Sequence, residues 1–257
     1  MRCVVLKFGG AAVAAPERFG QIADLITERS QEYERVVVVV SAMGNMTNEL
    51  LSLARQVHPS PPKREEDMLI SVGERISMAL LAMALDLKHK QAVSLTGSQA
   101  GIITNADHTE ARIVEVRPHR VKEHLDQGKI VVVAGFQGVS RGGQITTLGR
   151  GGSDTTAVAL AVALGAEKVE FYKDVPGVFA GDPKLNPQAE FFPFLDYSPA
   201  IELMKNGAKV LQSRCVELAC KNGILLHVLP FHHPKNNPGT LIGAALPFSQ
   251  PPLYEDE

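Results

Sequence analysis

Val36-Val37-Val38-Val39-Val40, followed by Ser41-Ala42-Met43-Gly44, is the stretch whose reading decides the fold. Five β-branched residues in a row leave no polar alternate position, so neither face of the strand they form can meet water. An unbroken run of this kind belongs to a parallel sheet covered by helices on both sides. Shorter apolar runs recur at 4–8, 92–95, 130–134 and 169–172. Helical periods lie between them. Residues 18–29 put Phe19, Ile22, Leu25 and Ile26 on one face, with Pro16 near the first turn. Residues 68–87 repeat the pattern with Met68, Leu69, Val72, Ile76, Leu80, Met83 and Leu87, so a single long helix is expected there. Residues 155–164 are mostly alanine, valine and leucine, which predicts a helix buried nearly all round. Strand–helix alternation of this sort predicts an α/β sandwich with right-handed crossovers.

The 257 residues are 45% apolar and 21% charged, which is ordinary for a globular chain able to bury a large core. A formal net charge of −2 lacks the basic footprint of nucleic-acid binding. Cys3, Cys215 and Cys220 show no metal-ligand spacing, and buried, reduced thiols are expected. No signal peptide is visible, and the apolar runs look shorter than the ~18 residues of a membrane span. A cytoplasmic protein with no membrane or nucleic-acid partner is the expectation. Residues 59–62 read as a stiff connector, and residues 247–257, rich in proline and then acidic, are expected to fray.

Ligands of open parallel sheets bind beyond the carboxyl ends of the strands. Lys7-Phe8-Gly9-Gly10 follows the first strand and reads either as an anion site or as a tight turn with an incidental lysine. It fits neither the Walker pattern nor the dinucleotide fingerprint. Ser41, with Thr47 beyond it, suits a substrate lining or a plain loop. Gly73 inside a helix costs about 1 kcal/mol relative to alanine, so a close neighbour is expected. Glu74 could take a substrate ammonium or a surface ion pair. The densest signal is Thr146-Thr147-Leu148-Gly149-Arg150-Gly151-Gly152-Ser153-Asp154-Thr155-Thr156. Glycines running into an apolar helix build an anion-binding helix start, and Arg150 adds a bidentate fork. Asp154 is open to a capping role. Asp174 opens a turn-rich segment reaching Lys184, and Lys209 lies near a helix expected over 209–221; either lysine could meet phosphates or sit at the surface.

In this order the motifs closely resemble the catalytic domain of aspartate kinases, within the amino-acid kinase superfamily. The likeness rests on Lys7-Phe8-Gly9-Gly10, 37–44, Gly73-Glu74-Arg75-Ile76-Ser77, Gly97-Ser98-Gln99-Ala100-Gly101, 132–138, 146–159, 174–183 and Gly207-Ala208-Lys209-Val210-Leu211. It covers roughly residues 2–245 and implies a catalytic domain over 1–245 with a tail over 246–257. The implied fold is a three-layer α/β/α sandwich with a mainly parallel central sheet. The implied reaction joins ATP, helped by Mg2+, to the side-chain carboxylate of L-aspartate, giving 4-phospho-L-aspartate. Lys7 would neutralise the phosphoryl group beside the Gly9 and Gly10 amides, and Asp154 would hold that lysine. Arg150 would take a carboxylate of aspartate and Glu74 its ammonium, with Ser41, Thr47 and Ser153 lining the site. Tyr172, Asp174, Lys184 and Lys209 would face the nucleotide. No side chain is expected to ligate a metal, and His108, His232 and His233 are expected in loops. The resemblance and the frequency of two-fold oligomers imply a homodimer.

Three departures accompany the likeness. Ala11-Ala12 stand where the family usually has hydroxyl or thiol residues, which could alter activity or substrate. Lys173 stands for a usual serine or threonine beside the nucleotide, and Pro176 for a usual aspartate. The chain also stops where the family continues into ACT-type regulatory domains, so feedback control through them is expected to be absent. A kinase acting on another small acid, and a non-catalytic nucleotide- or amino-acid-binding subunit, are the other readings. The lack of Gly-x-Gly-x-x-Gly after a strand argues against a dehydrogenase.

Overall fold

A computed structural model describes residues 1–181, 186, 188–208, 210–232, 237–244 and 252–255. The strands are β1 (Cys3–Phe8), β2 (Arg35–Val40), β3 (Ala92–Leu95), β4 (Ile102–Thr104), β5 (Ile113–Val116), β6 (Ile130–Ala134), β7 (Gln137–Ser140), β8 (Ile145–Thr147), β9 (Lys168–Lys173), β10 (Val178–Phe179), β11 (Phe191–Phe192), β12 (Phe194–Leu195), β13 (Leu225–Pro230) and β14 (Thr240–Ile242). The helices are α1 (Arg18–Glu32), α2 (Met46–Val57), α3 (Lys63–Ile70), α4 (Val72–Asp86), α5 (His119–Asp126), α6 (Gly152–Leu164), α7 (Tyr197–Lys205) and α8 (Ser213–Asn222).

The central sheet has the order β12-β14-β13-β9-β1-β2-β6-β3. Its six strands from β13 to β3 are mutually parallel, and β14 runs antiparallel to β13. The valine run does what its composition requires. Val36, Val38 and Val40 enter one apolar core with Phe19, Ile22 and Ile26 of α1 and Leu81 and Leu85 of α4. Val37 and Val39 enter the other, with α6 and α8. Helices therefore cover both faces, giving the three-layer α/β/α arrangement. Eleven of the thirteen residues of α6 are buried, so it is covered nearly all round, as its composition predicts. A small separate sheet, β5-β4-β7-β8, had no strong period in the sequence, because its strands are three or four residues long.

Two helix expectations need correcting. The long helix expected over 68–87 is two, joined at Ser71, whose carbonyl accepts a hydrogen bond from Gln137 Nε2 at 2.7 Å. A Ser–Gly pair (Ser71, Gly73) with a side chain competing for a helix carbonyl is a common origin of such a bend. Counted through the bend, Lys63–Asp86 is long and apolar enough to cross a membrane, contrary to the expectation from run length, and half of its most apolar window is buried. The helix expected over 209–221 begins at Ser213.

The tail also differs from expectation. Leu253 exchanges hydrogen bonds with the Asn222 side chain at 2.7 Å each, and Glu255 N–H donates to Ile113 O at 2.9 Å. Glu255 is ion-paired with Arg214, so residues 252–255 are docked rather than frayed. The expected boundary at 245/246 falls outside the described residues. Cys3 and Cys215 are buried free thiols, and Cys220 is only partly buried.

Candidate active site

Strand order reverses at β1: the chain moves to β2 on one side, and later to β9 on the other. Such a switch point opens a crevice at the carboxyl ends of the two flanking strands. Lys7 lies near the end of β1 and Lys173 ends β9. A cavity of about 290 Å³ opens there, between these ends and the first turn of α6. Among the residues that line it are Lys7, Gly10, Ser41, Thr47, Glu74, Arg150, Ser153 and Asp154. Residues from four separate sequence segments thus meet in one place.

Lys7 is 4% exposed, and its ammonium is ion-paired with Asp154 Oδ1. Lys173 Nζ lies 3.1 Å from the other oxygen, Oδ2. Burial pushes the Lys7 ammonium down, and Asp154 opposes that shift. Burial alone would push the Asp154 carboxyl up, but the Lys173 and Lys7 ammoniums outweigh it and hold it below the usual carboxylate range. The residue makes no side-chain cap on α6, whose cap position is Gly151. Its carboxylate is committed to two lysines.

The turn before α6 is built for close approach. Gly151 has φ +76°, and a Cβ there would lie 2.0 Å from Gln212 Cγ. No L side chain fits that backbone without strain. Gly151, Gly152 and Ser153 bring the positive end of α6 to the cavity wall. Arg214 of α8 supports this turn from behind, donating to Leu148 O at 2.6 Å and to Ala111 O at 2.7 Å.

Glu74 is 3% exposed in the first turn of α4, so it forms no surface ion pair. Its Oε1 accepts from Ala42 N–H at 2.9 Å, while Oε2 has no hydrogen-bond partner among the described residues. Burial pushes the carboxyl up to about 7, against the pull of the Ala42 amide and the Lys7 ammonium. The expected close neighbour of Gly73 is Ala42: a Cβ on Gly73 would lie 2.7 Å from the Ala42 Cβ. That contact is what brings Glu74 against the loop following β2.

Other expected site residues lie elsewhere. Tyr172 is 2% exposed, stacked on Phe8 at 4.9 Å, and its hydroxyl donates to Glu170 Oε2 at 2.8 Å. Its side chain points into the α1 face of the core and does not line the cavity. Asp174 is exposed just past β9 and does not line the cavity. Gly9 adjoins it, since a Cβ there would lie 3.4 Å from Lys7 Nζ. Lys184 and Lys209 lie outside the described residues. Of the two departures near Gly10, Ala12 is buried in the core beside α1 and Ala11 is exposed, and neither lines the cavity. His108 and His232 sit in loops. The sequence reading put Lys173 beside the nucleotide but missed its pairing with Asp154; strand alternation could have found its face, since Phe171 is core on the α6 side and Lys173 is two residues on. Nothing in the sequence pointed to Gln212 or Arg214.

A sandwich whose glycine-rich helix start faces one buried and one half-buried lysine at a strand switch point defines a class of anion-handling α/β domains. The sequence profile of the Amino acid kinase family matches residues 2–230, and the chain belongs to that family. Over 247 residues it is 50% identical to a protein of Mycolicibacterium smegmatis named aspartokinase, covering 96% of this chain and 58% of that protein. The crystal structure of an aspartate kinase from Synechocystis superposes with a TM-score of 0.85 at 44% identity, over 96% of this chain and 40% of that one. E. coli aspartokinase III, solved in complex with aspartate and ADP, superposes with a TM-score of 0.84 at 26% identity, over 95% and 65%. The chain thus spans little more than half of the curated relatives it matches.

Proposed function

We propose that this chain transfers the γ-phosphoryl group of ATP to the side-chain carboxylate of L-aspartate, giving 4-phospho-L-aspartate and ADP. The observation that carries the reading is the meeting of Lys7, Asp154, Glu74 and Arg150 in one cavity of a chain about 50% identical to aspartokinases. Phosphoryl transfer asks a protein for positioning and charge stabilisation, with no covalent nucleophile. An ionised carboxylate oxygen forms the new bond to phosphorus as the bond to the ADP oxygen breaks. The acceptor is already deprotonated, so no strong general base is needed.

Each side chain then has a task. Lys7, fixed by Asp154, balances charge spreading over the transferring oxygens. Glu74 offers its unpartnered Oε2 to the substrate ammonium, and Arg150 offers a fork to a carboxylate. Ser41, Thr47 and Ser153 fill in the walls, while Gly9 and Gly10 allow phosphate close to the backbone. Asp174, with Lys184 and Lys209, belongs to the nucleotide side of the proposal. Magnesium fits as a passenger on the nucleotide phosphates. Among the described residues no three His, Cys, Asp or Glu side chains converge on a metal position, and Asp154 is occupied by its lysines. When bound, it would neutralise phosphate charge. A cytoplasmic homodimer is part of the same proposal.

The test is ADP release from the purified chain with Mg-ATP, comparing L-aspartate with a panel of small carboxylates. Aspartate-dependent turnover is expected, falling by about 10²-fold or more in Lys7→Ala and Asp154→Ala. Equal turnover with and without aspartate, or near-wild-type rates in both variants, would sink the assignment.

A further inference from the structure

Asp154 holds two ammoniums, one on each oxygen, and only one of them is needed to account for its position. Lys173 is the second. It stands on the face of β9 that looks toward α6, because Val169 and Phe171 of the same parity are buried against that helix. β9 lies beside β1 with Phe171 opposite Lys7, so the two lysines emerge side by side at the switch point. Lys173 Nζ lies over the Phe171 ring, 5.8 Å from its centroid. Lys173 lines the cavity with its side chain 16% exposed, against 5% for Lys7.

From this geometry we propose that Lys173 is a second phosphate-binding residue of the cavity, acting beside Lys7 on the phosphates of the nucleotide. Two ammoniums on a single carboxylate leave positive charge in excess, and in a partly desolvated site their mutual repulsion is poorly screened. A polyanion seated between them removes that repulsion. A lysine kept only to pack would have its charge in solvent or neutralised singly. Asp154 needs no second ion pair to be held, since Lys7 already supplies one. The ligand class is a phosphate chain, a nucleoside triphosphate in the reading given above, on which the inference rests.

The experiment is calorimetric titration of the full chain with inorganic tripolyphosphate, using wild type, Lys173→Met, Lys173→Gln and Lys173→Arg. Lys173→Met is expected to weaken binding by about 10-fold or more and to flatten its salt dependence, while Lys173→Arg stays within about 3-fold of wild type. Thermal melts run in parallel; should Lys173→Met fail to fold, Lys173→Gln takes its place. Affinity in the folded uncharged variant within about 2-fold of wild type, or no binding by wild type, overturns the proposal. Aspartate-dependent ADP release by wild type is measured separately. Tripolyphosphate binding that needs Lys173, without aspartate turnover, keeps this site and removes the aspartate reading. Turnover with no effect of Lys173 on binding does the reverse.

Discussion

Glu74 Oε1 accepts the Ala42 amide at 2.9 Å, and the other oxygen of this carboxylate is buried with no partner. The first contact fixes the side chain of a residue that lines the cavity and leaves its second oxygen free of protein partners among the described residues. A buried, half-satisfied acceptor of this kind is costly to the fold, and under the proposed function that cost serves binding of the substrate ammonium.

Its titration gives a pH prediction. Glu74 is pushed up to about 7, so it is largely neutral below that pH and loses its attraction for an ammonium. KM for aspartate is expected to rise as pH falls from 8 to 6, and Glu74→Gln should show a KM raised by about 10-fold or more without this pH dependence. Stability runs the other way. A carboxylate with a raised folded pKa contributes stability that is complete below its unfolded value, 4.5, and is lost as pH rises through about 7. Glu74→Gln should therefore gain in Tm relative to wild type at pH 8 and not at pH 4.5. Steady-state kinetics and melts across pH check both halves, and parallel KM curves for the two proteins would refute the first.

Gly151 is the position where the turn before α6 tolerates no side chain. Alanine there would carry a left-handed backbone and collide with Gln212. Gly151→Ala is expected to cost on the order of 1–3 kcal/mol of stability and to reduce turnover by more than 10-fold. Adding Gln212→Ala removes the collision and not the backbone strain, so Tm should recover only in part. Full recovery would show that the left-handed conformation is not required.

Arg214 ties the tail to the glycine-rich turn. It binds Leu148 O and Ala111 O on one side and Glu255, itself hydrogen-bonded to Ile113 N–H at 2.8 Å, on the other. Arg214→Ala should lower stability by about 2–4 kcal/mol, since it removes the donor of two carbonyls and leaves Glu255 without its guanidinium partner. Glu255→Gln retains the hydrogen-bonding shape and should cost less than half as much. Equal melting temperatures for Arg214→Ala and wild type would show that the clamp carries no weight.

The valine run at 36–40 determined the layer architecture from composition alone: a strand with no polar face must be covered twice. Residues 155–164 likewise announced a helix buried all round, and the glycines around Arg150 announced a helix start open to anions. These are local properties, fixed by which atoms each residue can leave in water and which φ values it can adopt. Only the tertiary structure decided which side chains share the cavity. Tyr172 and Lys173 are neighbours in sequence and follow the same strand, yet alternation sends one into the core beneath α1 and the other to Asp154. That choice depends on the register of β9 against β1 and on which face α6 covers. The partner of Lys173, the unsatisfied oxygen of Glu74 and the clamp of Arg214 on Glu255 are contacts between segments distant in the chain, and their energies exist only once the layers have closed.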